Sequence, residues 1–457
     1  MALGEIFSRF VAQAPVPVMA RGTLEWALSP KWLEELFEET AQRQRLGELA
    51  FSALVDLMGM VVCKTRKSMH AAYQAHQGSI QVAVKSVYNK LNRLEPGISA
   101  ELVRRSAARL GAVIGEMRGG LPEILPGYRV KILDGNHLAA TQHRLQELRT
   151  RRAGPLPGQA LVVLDPQTKL IVDVYPCEDA YAQERSLVPE LVENLRPGEV
   201  WIADRNFCTS LWLFEIALNK SFFIIREHAV NVRWESRGPG REVGRGDSGR
   251  VWEEPIHIFD GHGGGLDARR ITVKLDQPTQ DGDAEIQILT NLPSAVQAVV
   301  ISAAYRQRWT IEAAFNELTL SLRCEINTLG YPRAALFGFC VATVIYNVLS
   351  VLLAAIRAAH GPDQAAQVSH YYLADEISSI LPGMMIAIPD RHWPAAFGSL
   401  SVKQLARLLL QLAQRVDLPR FRKHPRGPKR PPPPRVGSRR QPHLSTARLL
   451  AQRKQNN

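Results

Sequence analysis

GYRVKILDGNHL, residues 127–138, decides the fold, because apolar and polar residues alternate along it until they meet an acid. Alternation with a period of two is typical of a β-strand that buries one face. The pattern ends at Asp134, so it predicts a carboxylate at the end of a strand. Taken alone, the Asp-Gly pair there is also a favoured hairpin turn, and this alternative stays open.

A second acid follows a second strand pattern. The segment EVWIADRNF, residues 199–207, has an apolar run that ends at Asp204. Asp204 is also well suited to cap the helix predicted after it. A carboxylate just past a buried strand has a rigid support, and such carboxylates can converge with one carried by a helix.

A third segment places an acid on a predicted helix. In YRQRWTIEAAFNELT, residues 305–319, the side chains of Tyr305, Arg308, Glu312 and Thr319 have the spacing of one helical face. The simplest interpretation is an ion pair between Arg308 and Glu312 on a solvated surface. A guanidinium one turn from a carboxylate also suits a site that binds phosphate.

Three carboxylates on two strands and a helix suggest a metal site. Hard cations such as Mg²⁺ take oxygen ligands. Two such ions about 3.5–4 Å apart can activate an attacking oxygen and stabilise a leaving one in phosphoryl transfer. We therefore expect Asp134, Asp204 and Glu312 to converge.

These motifs resemble a known family. Tyr305, Arg308 and Glu312 follow the spacing Y-(2)-R-(3)-E-(6)-K of bacterial insertion-sequence DDE transposases, and the DGNHL and ADRNF sequences are similar to those around that family's two aspartates. The three motifs occur in the family's order between roughly Gly127 and Asn347. The chain departs from the pattern at one position, where Thr319 replaces the signature lysine.

The resemblance implies a fold, an activity and a set of site residues. It implies a ribonuclease H-like core in which Asp134, Asp204 and Glu312 hold two Mg²⁺ or Mn²⁺ ions and catalyse DNA cleavage. In a cut-and-paste transposase, water first attacks the phosphodiester at the transposon end, and the freed 3′-hydroxyl then attacks target DNA. The residues that would contact DNA are Tyr305, Arg308, Arg205 and, at the lysine position, Thr319.

The resemblance also implies the partners. Members of the family act as homodimers on double-stranded DNA, with one active site at each of the paired terminal inverted repeats, and then join those ends to target DNA. An alternative from another class is a DNA-binding regulator descended from such an enzyme, with weak or lost cleavage. Thr319 keeps that alternative open, whereas retention of all three carboxylates favours the enzyme.

The remaining patterns divide the chain into regions of different composition. We expect an α/β protein whose mixed sheet with flanking helices is interrupted by a β-rich insertion. The expected regions are a helical, DNA-end-binding domain at 1–125, the first part of the core at 126–226, the β-rich insertion at 227–293, the second part of the core with C-terminal helices at 294–414, and a disordered basic tail at 415–457.

Two places in the helical region carry basic residues. Residues 82–94, VAVKSVYNKLNRL, have lysines and an arginine away from an apolar face, as in a recognition helix for DNA or in an ordinary amphipathic helix of a bundle. Arg104, Arg105 and Arg109 make a similar case for DNA binding. Because basic residues on exposed faces are common, the ordinary helix is the simpler interpretation.

The whole net charge of +12 lies in the tail. Residues 415–457 hold 13 Arg or Lys against one acid, Asp417, so the rest of the chain is formally neutral. The tail is rich in proline and poor in apolar residues, so we expect it to stay extended until it meets a polyanion.

The cysteines and the hydropathy of the chain indicate the cellular compartment in which the protein acts. The cysteines number five and show no CxxC spacing, which argues against a disulfide framework and favours the reducing cytoplasm. Residues 334–356 carry no charge and are long enough to cross a bilayer. Tyr346 and Asn347 lie at the middle of that stretch, so we favour a helix buried beneath the sheet over a membrane span.

Overall fold

The structure, a computed structural model, is a large mixed β-sheet with helices on both faces. It describes residues 3–456 except for these positions: 46, 77, 79, 262, 280–281 and 425–442. The mixed α/β class expected from the sequence is confirmed.

The α-helices of the described residues lie before, within and after the sheet. Four of the longer ones, α2, α3, α7 and α12, have a proline in the first turn, where the missing N–H is not needed and the fixed φ suits a helix. In chain order the helices are α1 Ser8–Gln13, α2 Pro15–Ala27, α3 Pro30–Thr40, α4 Phe51–Val62, α5 Met69–Ala75, α6 Val84–Arg93, α7 Pro96–Met117, α8 Val188–Val192, α9 Ser210–Leu218, α10 Ala298–Arg306, α11 Trp309–Ser321, α12 Pro332–His360, α13 Pro362–Ala366, α14 His370–Ala387, α15 Val402–Ala413 and α16 Thr446–Asn456.

The strands of the described residues fall into one large sheet and one small one. In chain order they are β1 Arg129–His137, β2 Pro155–Leu156, β3 Gln159–Asp165, β4 Leu170–Cys177, β5 Glu199–Ala203, β6 Phe222–Arg226, β7 Trp234–Ser236, β8 Arg241–Gly246, β9 Gly249–Phe259, β10 Gly265–Leu275, β11 Glu285–Thr290 and β12 Leu444–Ser445. β12 pairs with β2 alone, parallel and over two residues.

The large sheet has the strand order β4-β3-β1-β5-β6-β11-β10-β9-β7, and β8 also pairs with β9. β1, β3 and β4 form an antiparallel meander, whereas β5 lies parallel to β1 and β6 lies parallel to β5. The helices α8 and α9 connect these parallel strands, as parallel pairing requires. β1 therefore lies at the centre of the first five strands.

The predicted β-rich insertion at 227–293 contains β7–β11. These strands do not form a separate sheet, because β11 pairs antiparallel with β6 and so extends the central sheet. β9 and β10 pair along eleven residues each, which gives this extension its length.

Each face of the central sheet buries its own core. Ile132 of β1 and Ile202 of β5 belong to the core that α7 and α12 share, whereas the neighbouring Leu133 and Trp201 belong to the core that α8 and α9 share. Successive side chains of a strand point to opposite faces, so the continuous apolar runs of β1, β3 and β5 follow from burial on both sides.

α12 is the uncharged stretch that could have been a membrane span. It is the one described helix long and apolar enough for that role, but its most apolar window is 100% buried inside the protein. The polar residue at the middle of α12, Asn347, is explained by its hydrogen bonds to β4. Its side-chain amide accepts from Ile171 N and donates to Ile171 O, both at 2.8 Å. β4 is the edge strand of the sheet, and Asn347 satisfies backbone groups that no further strand would pair.

The helices of residues 1–125 pack against later helices rather than apart from them. α7 packs on α12, α15 and β4, and α2 packs on α14 and α12, so these helices share one hydrophobic core with the sheet. Lys90, on the segment predicted as a possible recognition helix, donates to Leu49 O, which ties its ammonium to the protein.

The three arginines proposed for DNA binding in this region are engaged within the protein. Arg104 donates to Asp173 of β4 and to Glu101, and Arg105 donates to Glu101 and Glu39. Arg109 donates to Trp26 O and stacks on the rings of Trp26 and Trp32. These contacts favour the ordinary-helix interpretation of the three arginines, because partners elsewhere in the protein already bind them.

The predicted disordered tail is structured where the structure describes it. Residues 443–456 form β12 and α16, and Arg448 of α16 makes an ion pair of 2.8 Å with Asp179. Ser445 and Thr446 are buried, at 2% and 0% exposure. An extended tail is therefore wrong for this part, because parallel pairing with β2 and ion pairs dock it. The proline-rich centre, 425–442, lies outside the described residues.

Candidate active site

The first predicted carboxylate lies inside a strand. Asp134 pairs with Val162 of β3, and β1 continues to His137. The hairpin-turn alternative for Asp134 and Gly135 is therefore wrong, because both residues belong to a central strand. Asp134 lies two residues after Ile132, so its side chain points to the same face of the sheet, towards α7, α12 and α11.

The second predicted carboxylate caps a short helix. Asp204 follows β5, and its Oδ1 accepts a hydrogen bond of 2.8 Å from the backbone N–H of Asn206 at the start of a 3₁₀ helix. In the parallel pairing of β1 with β5, Ile132 lies opposite Ile202. Asp134 and Asp204 each lie two residues beyond this pair, and they are near enough for the charge of Asp204 to raise the pKa of Asp134.

The third segment is two helices rather than one. α10 ends at Arg306 and α11 begins at Trp309, so the predicted continuous helical face from Tyr305 to Thr319 is wrong. Gln307 and Arg308, between the two helices, keep helical dihedral angles, and Arg308 is the residue that precedes α11. Glu312 then lies in the first turn of α11, where the helix dipole favours an acid.

Arg308 joins two of the predicted carboxylates. Its Nη1 lies 3.0 Å from Asp134 Oδ2, and its Nη2 lies 2.7 Å from Glu312 Oε1. The ion pair with Glu312 expected from the i,i+4 spacing is present, but it is not on a solvated face: the Arg308 side chain is 12% exposed. The guanidinium therefore links helix α11 to strand β1.

The other predicted DNA contacts lie around this link. Tyr305 is 8% exposed, and its hydroxyl interacts with the Arg308 guanidinium. Arg205 is exposed beside Asp204. Thr319 lies two turns beyond Glu312, and its hydroxyl donates to Phe315 O at 3.0 Å, so it is satisfied within its own helix.

Negative charge exceeds positive charge at the site. The pKa of Asp134 is raised to about 7, chiefly by burial and also by the neighbouring Asp204 and Glu184, and Arg308 only partly offsets these effects. Burial alone would lower the pKa of Arg308, but Asp134, Tyr305 and Glu312 together raise it. Each carboxylate added to this pocket makes the next one harder to ionise unless a cation is present.

Glu184 is a site residue that sequence reasoning missed. It begins a 3₁₀ helix between β4 and β5, and its Oε2 accepts from Asn206 Nδ2 at 3.4 Å. A Cβ on Gly135 would lie 1.9 Å from Glu184 Oε1, so the glycine after Asp134 makes room for this carboxylate. The signal available in the sequence was that glycine, because a glycine inside a strand often marks a close approach.

The site contains the oxygen ligands that hard cations prefer, but these ligands are not arranged around a common point. Its acids, Asp134, Asp204, Glu184 and Glu312, supply only oxygen atoms, and one guanidinium faces them. Within the described residues, no three acidic, histidine or cysteine side chains lie close enough together to hold a metal ion. Two of the carboxylates are held instead by Arg308, so the residues fit a divalent cation in charge and chemistry once that guanidinium moves aside.

Comparison with known proteins agrees with the motifs. Residues 125–348 match the family described as "Transposase DDE domain". A search of curated proteins found no match. Among solved structures, the chain is similar to a cryo-EM structure of a piggyBac transposase synaptic complex with hairpin DNA, at a TM-score of 0.41 and 11% identity, over 90% of this chain and 88% of that one. That similarity is too low to carry an argument about this protein.

The family match spans the three segments from which the resemblance was drawn. It contains Asp134, Asp204 and Glu312 and extends to the middle of α12. Nothing in the comparisons favours the alternative of a DNA-binding regulator. Residues 125–348 are therefore a transposase DDE domain.

Proposed function

We propose that this transposase cuts and joins the ends of an insertion sequence by metal-dependent phosphoryl transfer at Asp134, Asp204 and Glu312. The observation that carries the proposal is the convergence of two elements on one guanidinium: Arg308 binds Asp134 of β1 and Glu312 of α11. The proximity of Asp204 to Asp134 supports Asp204 as the third carboxylate of the site.

The strand order supports a ribonuclease H-like core. The first five strands of the central sheet follow the order β4-β3-β1-β5-β6, with an antiparallel meander followed by two parallel crossovers. Asp204 directly follows β5, Asp134 lies in the second half of β1, and α11 brings the glutamate to the face of the sheet that carries Asp134. In an open α/β sheet, ligands bind at the carboxyl ends of the strands.

Asp134, Asp204 and Glu312 would hold Mg²⁺ or Mn²⁺, as two ions in the proposed site. Such ions, when bound, activate an attacking oxygen and stabilise the leaving oxygen of a phosphodiester. The chain's own part is to hold the carboxylates: β1 and β5 fix the aspartates on the sheet, and the start of α11 fixes Glu312. Arg308 lowers the pKa of Asp134 against the stronger effect of burial, and it holds the side chains of Asp134 and Glu312 close together.

The proposed phosphate contacts are Arg308, Tyr305 and Arg205, with Thr319 further along α11. When Arg308 leaves the carboxylates, its planar guanidinium can bind a phosphate with two hydrogen bonds. Tyr305 is buried against it and fixes its position from behind. Arg205 is exposed next to Asp204, where a phosphate at the site would meet it.

The proposed partners are double-stranded DNA with terminal inverted repeats, and target DNA. We propose a homodimer on paired ends, with end recognition by the helices of residues 1–125, and action in the cytoplasm. These proposals follow from membership of the family and from the exposed cations of the protein.

The proposal is tested by comparing DNA cleavage by the unaltered protein with cleavage by variants that are prepared in the same way. Asp134→Asn, Asp204→Asn and Glu312→Gln keep the size of each side chain and remove its charge. We expect each to abolish nicking of a supercoiled plasmid in Mg²⁺ or Mn²⁺, while duplex binding in EDTA stays close to that of the unaltered protein, because phosphate contacts rather than these carboxylates dominate affinity. Asp363→Asn, in the first turn of α13, is the control.

The result that would overturn the site is nicking that survives Asp204→Asn or Glu312→Gln. Nicking that survives addition of EDTA would overturn the metal dependence. DNA binding without cleavage in the unaltered protein would favour the regulator instead.

A further inference from the structure

Cations without acidic partners gather on two loops of this protein. The first loop, the Lys64 loop, is residues 64–68 between α4 and α5, with the sequence KTRKS. Lys64, Arg66 and Lys67 are exposed, and none of the ion pairs of the described residues includes them. Many other arginines of the chain bind acids, so these three stand out by their grouping.

The Lys64 loop is held against the end of α11. Lys64 Nζ donates to Leu320 O at 3.0 Å, one residue beyond Thr319. Arg323 anchors the loop from the other side, through its N–H to Val62 O at 2.9 Å and its Nη1 to Lys67 O at 2.8 Å. The loop is therefore a fixed part of the surface that follows the helix carrying Glu312, and Lys64 brings an ammonium close to the position where the family signature has its lysine.

The second loop, the Arg149 loop, is residues 144–152 after β1. Four of its residues are exposed arginines that form no ion pair with the described acids: Arg144, Arg149, Arg151 and Arg152. The one acid of this loop, Glu147, is paired with Arg453 of α16. The loop is tied to the chain after α11, because Gln142 N donates to Asn327 O at 2.8 Å.

A cavity of about 550 Å³ lies beside the Lys64 loop, and its lining reaches Thr141, three residues before the Arg149 loop begins. One wall is residues 138–141, which continue the strand that carries Asp134, and the other is residues 323–328, which continue the helix that carries Glu312. Lys67 and Arg323 line it. The acid of the cavity, Glu325, accepts from Ala139 N at 3.1 Å and so joins the two walls.

We propose that the Lys64 loop and the Arg149 loop together bind the backbone phosphates of the DNA that runs away from the cleavage site. The Arg149 loop follows β1, which carries Asp134, and the Lys64 loop is hydrogen-bonded to the end of α11, which carries Glu312, so a duplex held at Asp134 and Glu312 would pass over both loops. Exposed Lys and Arg side chains without acidic partners bind phosphates without first breaking an ion pair. The proposal rests on the proposed function, because it takes DNA as the substrate.

The partner is a polyanion rather than a single small anion. The two loops carry seven exposed cations, of which Lys67 alone lines the cavity, whereas one phosphate ion can contact only two or three cations. The cavity itself contains Glu325, which would repel an anion bound inside it. Repeating phosphates on an extended backbone match that spread of charge.

The test measures the salt dependence of DNA binding in EDTA, without cleavage. The probe is a fluorescein-labelled duplex of about 40 base pairs of mixed sequence, titrated by fluorescence anisotropy between about 50 and 200 mM KCl. We compare the unaltered protein with K64Q/R66Q/K67Q, with R151Q/R152Q and with the combination. Arg323 is left in place because it anchors the backbone.

Each neutralised phosphate contributes roughly 0.9 to the slope of log K against log salt. We therefore expect the triple variant to lower that slope by about 2, and the double variant by about 1 to 2. The matched control is K403Q/R407Q, which removes two exposed cations from α15, a helix that packs on α2, α7 and α12. The control should leave the slope unchanged, and all variants should keep the thermal unfolding of the unaltered protein.

Unchanged slopes for both loop variants, in a protein that binds the duplex, would overturn the proposed surface while leaving the proposed function intact. A slope lowered equally by the control would also overturn it, because the effect would then follow net charge alone. If the proposed function is wrong, the carboxylate variants will fail their own nicking test, and that result does not depend on these slopes.

Discussion

Arg308 and Asp134, 174 residues apart in the chain, form an ion pair in which Nη1 lies 3.0 Å from Oδ2. The other arm of the guanidinium binds Glu312. Helix α11 is thereby fixed to strand β1 in the absence of DNA. The same contact places the Arg308 guanidinium on carboxylate oxygens that divalent ions would use. The guanidinium therefore takes the place of a metal ion until Arg308 moves to a phosphate.

The first prediction concerns this guanidinium. Arg308→Ala removes a positive charge from a pocket of acids, so we expect Mn²⁺ to bind several-fold to about tenfold more tightly in the absence of DNA. Cleavage should fall, because the bidentate phosphate contact is lost. Calorimetric titration with Mn²⁺ and a nicking assay measure the two effects. Arg306→Ala, which breaks an exposed ion pair with Asp247, is the control. Weaker Mn²⁺ binding by Arg308→Ala would contradict the arrangement.

The second prediction concerns the glycine beside Asp134. A Cβ at Gly135 would lie 1.9 Å from Glu184 Oε1, so Gly135→Ala must displace that carboxylate. We expect a loss of about 1–2 kcal/mol in the free energy of unfolding, and reduced nicking. Adding Glu184→Ala should restore the stability, since it removes the clash. Gly97→Ala is the control, because a Cβ there meets nothing within 4 Å. Equal stability of Gly135→Ala and the unaltered protein would show that Glu184 does not occupy this place.

The third prediction concerns the polar residue inside α12. Asn347→Leu leaves the buried N–H and C=O of Ile171 without partners, so we expect a loss of roughly 2–4 kcal/mol in the free energy of unfolding by urea. Ser350→Ala is the graded control. It removes one hydrogen bond, from its Oγ to Lys169 O at 2.9 Å, and should cost about 1 kcal/mol. A more stable Asn347→Leu protein would mean that α12 does not cap the edge of the sheet.

The fourth prediction separates structural from DNA-binding arginines. Arg104→Gln leaves Asp173, which is 7% exposed, without its cation, and should cost about 3 kcal/mol of stability. Arg105→Gln, at the more exposed ion pairs with Glu39 and Glu101, should cost less than about 1 kcal/mol. Neither variant should alter the salt dependence of DNA binding. If Arg104→Gln lowered the slope of log K for DNA binding against log salt, Arg104 would contact DNA and the structural assignment would be wrong.

The strand patterns of the sequence were good predictors of the central elements. Continuous and alternating apolar runs predicted the strands that became β1 and β5, since burial of one or both faces sets those patterns directly. The place of Asp134 was less well predicted. An Asp-Gly pair favours a turn, but pairing with β3 carries the strand on to His137, and tertiary pairing outweighs the local preference.

The helix that was predicted across Tyr305 to Thr319 shows the opposite error. Its spacing suited one continuous face, yet the chain breaks at Gln307 and Arg308. Arg308 also binds Asp134, 174 residues away, a contact that no local pattern contains. Glu184 escaped notice for the same reason, because it lies on a short 3₁₀ helix with no periodicity of its own.

By itself, the sequence determined the residue types, spacing and order of the three motifs on which the proposed site rests, because these are local properties of the chain. Only the tertiary structure decided which charges are available. Arg104 and Arg109 looked like DNA ligands and are bound by partners far away in the chain, whereas Lys64 and Arg151 drew no attention and are exposed without an acid among the described residues. Ion pairing and burial depend on distant partners, so folding alone settles them.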